Sequence, residues 1–201
     1  MQIYRHCLKR GFDILFSSMG LLMLLPVFAV TAVWIKADSK GPVFYRQVRV
    51  GRHGQGFRIF KFRSMRTGSD KGSQITVGER DSRITRSGIV IRKYKLDELP
   101  QLINVLMGDM SFVGPRPEVP KYVELYTEAQ RHVLDVRPGI TDMASMKYIN
   151  ENELLGKADN PEEYYIHTIM PDKLAINLEY VKNHSFVSDV TIILQTLSKI
   201  F

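Results

Sequence analysis

The chain has 201 residues, enough for one buried core, a net charge of +7 and a single cysteine. That one cysteine, Cys7, excludes an intramolecular disulfide framework and any multi-cysteine zinc site, and it suits a reducing compartment. The charge is lopsided: residues 1–66 hold twelve Lys/Arg against Asp13 and Asp38, while residues 67–201 hold sixteen against nineteen Asp/Glu.

The basic excess surrounds a hydrophobic segment. From Ile14 to Ile35 the chain runs ILFSSMGLLMLLPVFAVTAVWI, 22 residues without a formal charge. A helix of that length matches a bilayer core of roughly 30 Å. It is long for a signal peptide, and Val33-Trp34-Ile35 offers no small-residue cleavage site. Arg5, Lys9 and Arg10 precede it and Lys36, Lys40, Arg46, Arg49 and Arg52 follow, so both flanks belong on the cytoplasmic side. Pro26 sits near its middle and lacks the N–H of a helical hydrogen bond. These features favour a re-entrant helix-break-helix that enters one leaflet and returns, over a simple span. Asp13 is expected near the headgroups, paired with Arg10 or capping the helix. The same charge makes nucleic acid the competing polyanion, but no zinc-finger spacing, RNP-type motif or basic helix repeat supports it.

Two β-like runs follow, 42–50 and 56–65, with the turn-forming Gly51-Arg52-His53-Gly54-Gln55 between them, which predicts a hairpin. Residues 67–88, rich in Gly, Ser, Thr and charge, predict a long loop of functional character. In Leu96–Leu106 the residues Leu99, Leu102, Ile103 and Leu106 form one apolar stripe at helical spacing. Asp97 stands at the N-cap position, Pro100 in the first turn and Gly108 at the stop. A proline corner, Gly114-Pro115-Arg116-Pro117, leads to a helix expected from about Glu118 to Asp135, and a second corner, Arg137-Pro138-Gly139, follows. At the C-terminus Val190, Ile193, Leu194 and Leu197 share a helical face, and its few cations favour core packing over a membrane interface.

The chemistry concentrates at Asp97–Glu98. Adjacent carboxylates at a helix start have an ordinary explanation in capping and the macrodipole. The same position keeps an Asp ionised and nucleophilic and draws phosphate oxygens to free N–H groups. Arg116 and Arg137 each sit in a proline-locked corner, which limits φ and suits a guanidinium held for bidentate phosphate recognition. Lys61, Arg63 and Arg66 in KFRSMR add a third basic group. Several cations and two carboxylates, Asp97 and Glu98, suggest a phosphate ester site with Mg²⁺ on the carboxylates. His6, His53, His132, His167 and His184 are scattered without zinc spacing, and there is no Walker A run, GxGxxG or GxSxG.

The block LDELPQLINVLMGDMSFVGPRPE (96–118), with VRPGIT (136–141) and KFRSM (61–65), resembles the bacterial sugar transferases. These are the monotopic polyprenyl-phosphate phosphoglycosyl transferases that initiate glycan assembly. The resemblance runs over nearly the whole chain. It implies an α+β, largely helical fold with a small β-hairpin and an N-terminal re-entrant membrane helix broken at Pro26. Residues 1–38 would then be the membrane segment. Residues 39–201 would be the catalytic domain, including a C-terminal amphipathic helix, on the cytoplasmic face of the bacterial inner membrane. It implies a ping-pong reaction in which Asp97 attacks the β-phosphate of a UDP-sugar, releases UMP and holds a phosphosugar. Polyprenyl (undecaprenyl) phosphate then takes that group. Glu98 would assist through Mg²⁺ or proton handling, and Arg116, Arg137 and Arg92 would hold phosphates beside Lys61, Arg63 and Pro115. Leu25-Pro26 replaces the frequent Ser-Pro, and Asn177 stands where Asp is frequent, so no role is carried to it. The sugar and the oligomeric state are not specified by the sequence. Two rival readings keep the same residues: a membrane-bound, Mg-dependent phosphohydrolase of nucleotide sugars, and a non-catalytic membrane scaffold.

Overall fold

The computed structural model describes residues 8–69 and 81–200. Cys7 and the middle of the expected 67–88 loop lie outside them. The chain begins with α1 (Lys9–Asp38), 30 residues long, followed by the antiparallel hairpin β1 (Phe44–Val50) and β2 (Gly56–Phe62). The hairpin pairs Phe44 with Phe62 and Val50 with Gly56 around a 3₁₀ turn at Arg52–Gly54, as the turn-forming residues predict. Next come α2 (Arg86–Lys93), a 3₁₀ turn at Leu96–Glu98 and α3 (Gln101–Met107). Gly108 ends α3 with φ 96°, the left-handed stop expected there. Strand β3 (Ser111–Val113) pairs in parallel with β4 (Gly139–Thr141). Between these strands lie α4 (Pro120–Val123) and α5 (Glu128–Arg131). The chain finishes with α6 (Met143–Lys147), α7 (Glu151–Gly156), α8 (Pro161–Tyr164), α9 (Met170–Asn183) and α10 (Phe186–Ile200). The fold is α+β and mostly helical.

Pro26 lies inside helix α1, and helical structure continues on both sides of it, from Lys9 to Asp38. Pro26 forfeits the bond to the Leu22 carbonyl, but both residues lie on the exposed side, and contacts before and after Pro26 hold the helix to the domain. Gly20 faces Leu102, where an added Cβ would stand 3.2 Å from its Cδ1. Phe28 packs edge-to-face on Phe62 at 5.2 Å. The buried residues Asp13, Ser17, Thr31 and Ile35 follow one stripe, while Leu22, Met23, Val30 and Val33 are exposed. Asp13 neither caps the helix nor pairs with Arg10. It is buried and accepts from Ser111 Oγ and Phe112 N, both at 3.1 Å, which ties α1 to β3.

Other expectations shift for local reasons. The single helix expected over 118–135 is divided, because Thr127 and Gln130 form a reciprocal capping box that starts α5 afresh. The expected loop ends early, since Thr85 accepts from Gly88 N and caps α2. Gly88 is required there: a Cβ would stand 2.0 Å from the Ser64 carbonyl oxygen. On α10 the core side is Asp189, Ile192 and Ile193, whereas Leu194 and Leu197 are exposed. Asp189 is drawn inward by the Lys9 ammonium and the Tyr180 hydroxyl, which turns the expected apolar face partly outward. The main core gathers α4, α9 and the turn between α8 and α9 around Tyr122, Val123, Tyr165, Ile169, Met170 and Leu174.

Candidate active site

Asp97 and Glu98 lie one turn before α3, in the 3₁₀ turn, and Asp97 makes no capping hydrogen bond among the described residues. The cap expected at Asp97 is therefore absent; Pro100 precedes α3 instead. Lys95, at the entry of the 3₁₀ turn, holds φ 54°. A non-glycine residue in the left-handed region costs on the order of 1 kcal/mol, and such strain clusters where geometry serves function. Here it turns the chain sharply from α2 and sets the direction of both carboxylates.

Glu98 is held from two sides. Its Oε1 accepts from Lys61 Nζ on β2 at 2.8 Å, and the Arg116 guanidinium donates to both oxygens, with Nη1 at 3.3 Å from Oε2. Burial opposes ionisation of Glu98, but Arg116 and Lys61 overcome it and hold this carboxyl well below the usual range. Glu98 in return raises Arg116, while burial lowers Lys61 against the pull of Glu98. The corner that carries Arg116 is braced on both sides. The Pro115 carbonyl accepts from Gly139 N at 3.0 Å, and the Pro117 carbonyl from Arg49 Nη1 at 3.1 Å.

Asp97 differs from its neighbour. The residue is 9% exposed, and its carboxylate accepts no hydrogen bond among the described residues. Burial pushes its pKa up, Lys61 and Arg92 pull it down, and the charge of Glu98 adds to the rise. The pair thus divides into a carboxylate neutralised by direct ion pairs and one without a hydrogen-bond partner among the described residues.

The sequence-derived cations separate into two groups. Lys61, Arg92 and Arg116 gather around the pair. Arg63 is buried and turns away: its guanidinium donates to the carbonyls of Ser39 and Lys40 at 2.7 and 2.9 Å, closing the C-terminus of α1. Arg137 binds the Gly108 carbonyl through Nε at 2.8 Å, at the far end of α3, where Arg10 also caps Val105 and Leu106. Burial and the neighbouring Arg10 lower the Arg137 pKa. Sequence reasoning missed the cluster behind Arg116, where Glu118 accepts from Arg49 and Tyr165. Glu118 closes the block that carries the resemblance, and that was the available signal.

Comparison with known proteins agrees with this block. The profile of the bacterial sugar transferase family matches residues 4–201. The chain belongs to the bacterial sugar transferase family. One relative of this sugar transferase, the exopolysaccharide production protein PSS of Rhizobium leguminosarum bv. phaseoli, is 41% identical over 199 residues, covering 94% of this chain and 93% of its own. A UDP-N-acetylgalactosamine-undecaprenyl-phosphate N-acetylgalactosaminephosphotransferase of Aeromonas hydrophila is 39% identical over 198 residues. A UDP-glucose:undecaprenyl-phosphate glucose-1-phosphate transferase of Klebsiella pneumoniae is 38% identical over 196 residues. Both alignments cover 96% of this chain, but the chain spans only 43% and 40% of those two relatives' length.

Proposed function

We propose that this sugar transferase moves a sugar 1-phosphate from a UDP-sugar to polyprenyl (undecaprenyl) phosphate, and so initiates polysaccharide or glycoconjugate assembly. The carrying observation is the contrast within the pair: Asp97 is buried and accepts no hydrogen bond among the described residues, while Glu98 is neutralised by Lys61 and Arg116. A buried carboxylate raised in basicity and freed of hydrogen bonds is a competent nucleophile once ionised. Asp97 Oδ attacks the β-phosphorus, the bond to the bridging oxygen breaks, and UMP leaves with that electron pair. A phosphate oxygen of the polyprenyl acceptor then displaces the Asp97 carboxylate from the same phosphorus. Lys61, Arg92 and Arg116 supply positive charge where the phosphoryl oxygens gain negative charge.

The donor set suits Mg²⁺ through Asp97, the carboxylate with free oxygens, and Glu98 stands beside it with its oxygens already engaged. Mg²⁺ takes few protein carboxylates when diphosphate oxygens complete its shell, and it would neutralise the donor diphosphate. Membrane lipids are the remaining partner. Helix α1 is long and apolar enough to cross a bilayer, and its exposed side is apolar. Both of its ends are tied to the same body, Lys9 to Asp189 and Asp38 to Ser87. This supports embedding from one side, and the basic flanks favour the cytoplasmic face of the inner membrane.

The test uses a donor labelled in its β-phosphate and sugar. Wild-type protein retains label after UMP release, and Asp97→Asn does not. Label retained by Asp97→Asn would move the nucleophile elsewhere. Continuous UMP release without polyprenyl phosphate would make water the acceptor and the protein a phosphohydrolase.

A further inference from the structure

Two cations meet on Glu98 from different elements, Lys61 from β2 and Arg116 from the Pro115–Pro117 corner. Strand β1 holds both. It pairs with β2, with Tyr45 opposite Lys61. At its other end it grips the chain just past Arg116: Arg49 Nη1 donates to the Pro117 carbonyl at 3.1 Å, and Val50 N donates to the Glu118 carbonyl at 2.9 Å. The spacing of the two cations on Glu98 therefore depends on how β1 holds the corner.

Arg49 is itself held from two sides. Gln47 Oε1 accepts from its Nη2 at 2.8 Å, and Glu118 Oε1 accepts from its Nη1 at 3.3 Å. The same Glu118 oxygen accepts from Val119 N at 2.8 Å, and Oε2 accepts from the Tyr165 hydroxyl. Tyr165 is 5% exposed, and burial and the charge of Glu118 push its pKa well above the ordinary value, so the phenol keeps its proton and donates. The Glu118 carboxylate is thus fixed by β1 on one oxygen and by the turn between α8 and α9 on the other. A largely buried ion pair adds little net stability over apolar groups of the same size, whereas it does fix direction. Direction is what Arg116 needs, because its planar guanidinium donates to both Glu98 oxygens.

We propose that Glu118 is a positioning residue for the transfer reaction, acting through Arg49 and the proline corner to aim Arg116; this rests on the reaction given above. Removing the carboxylate releases Arg49 from the Pro117 carbonyl and lets the corner shift. A shift on the order of 1 Å in a group that stabilises charge costs up to about a hundredfold in rate. The loss falls on kcat, since the Arg116 charge counts most where the phosphoryl oxygens gain charge.

The experiment compares wild type, Glu118→Leu and Glu118→Gln, as full chains, each also combined with Arg116→Lys. UMP release from a UDP-sugar with polyprenyl phosphate is followed at a temperature well below every Tm. Glu118→Leu should lower kcat between about ten- and a hundredfold and leave the donor KM within about threefold. Glu118→Gln, which keeps an acceptor oxygen for Arg49, should recover most of that loss. In the Arg116→Lys background the leucine substitution should cost about twofold at most, because an ammonium on a flexible stem needs no fixed direction. An unchanged kcat overturns the proposal, and so does a raised KM at unchanged kcat, which would make Glu118 a donor contact. An equal fold-loss of kcat in both backgrounds overturns it too, because the loss would then not pass through Arg116. Should Glu118→Leu not fold, Tyr165→Phe removes one bond to Glu118 and keeps the ring. It should lower kcat about threefold beside Arg116 and leave it unchanged in the Arg116→Lys background. A wild type that releases no UMP from any UDP-sugar overturns the reaction itself, whereas an active wild type with unaffected variants overturns only the positioning role.

Discussion

Replacing Arg116 by methionine removes the larger share of the charge that neutralises Glu98. Breaking a buried ion pair by deleting one partner costs about 3–5 kcal/mol. Here 34% of the Arg116 side chain and 19% of Glu98 are exposed, and Lys61 stays in place, so the expected cost is about 2 kcal/mol. At about 2–4 °C per kcal/mol for a chain of this size, Tm should fall by roughly 4–8 °C at pH 7. The pH dependence follows from Glu98. Its folded pKa lies well below the ordinary 4.5, so the stability it contributes is fully present above that value and is lost as pH falls through the folded one. The deficit of Arg116→Met is therefore full at neutral pH and shrinks below about pH 4.5. Combining it with Glu98→Gln removes the stranded charge and should restore part of the loss. Thermal melts of detergent-solubilised single and double variants across pH 4–7 measure all three. A deficit that is independent of pH, or a double variant as unstable as the sum of the singles, would refute the ion-pair account.

Arg63→Met should lower Tm by a few degrees through the lost bonds to Ser39 and Lys40, and leave the donor KM within about twofold. A large rise in KM at unchanged Tm would return Arg63 to the substrate. For membrane topology, tags at Gln2 and Phe201 should both resist external protease in intact cells. Cleavage of one tag alone would show that the two ends lie on opposite sides.

The hairpin was legible because its strands carry β-branched and aromatic residues at period two around a glycine turn, and that signal is local. The site was legible in part for the same reason. Lys61, Arg116 and the carboxylate pair sit in short, conformationally restricted segments. The destinations of Arg63 and Arg137 were not legible. A cation in a basic or proline-rich run looks the same whether it meets phosphate or caps a helix C-terminus, and both of these cap. Strands β3 and β4, three residues each, are too short to show a period. They are fixed by the approach of Gly114 and Gly139, where a Cβ on Gly139 would stand 2.1 Å from the Gly114 nitrogen. What holds the helix on either side of Pro26 was not legible, because those contacts, from Leu102 and Phe62, come from distant sequence.

The bond between Lys9 and Asp189 spans 180 residues, and Lys9 also donates to Tyr180. The first turn of α1 is thus fastened by residues that lie more than 170 positions further along the chain. Until α9 and α10 fold, the near end of the apolar helix lacks its Lys9 bonds and is held through Arg10 to α3 and Asp13 to β3. The final seating of that end and the closing of the domain thus become one event, so the apolar helix takes its final position only on a body that has finished folding.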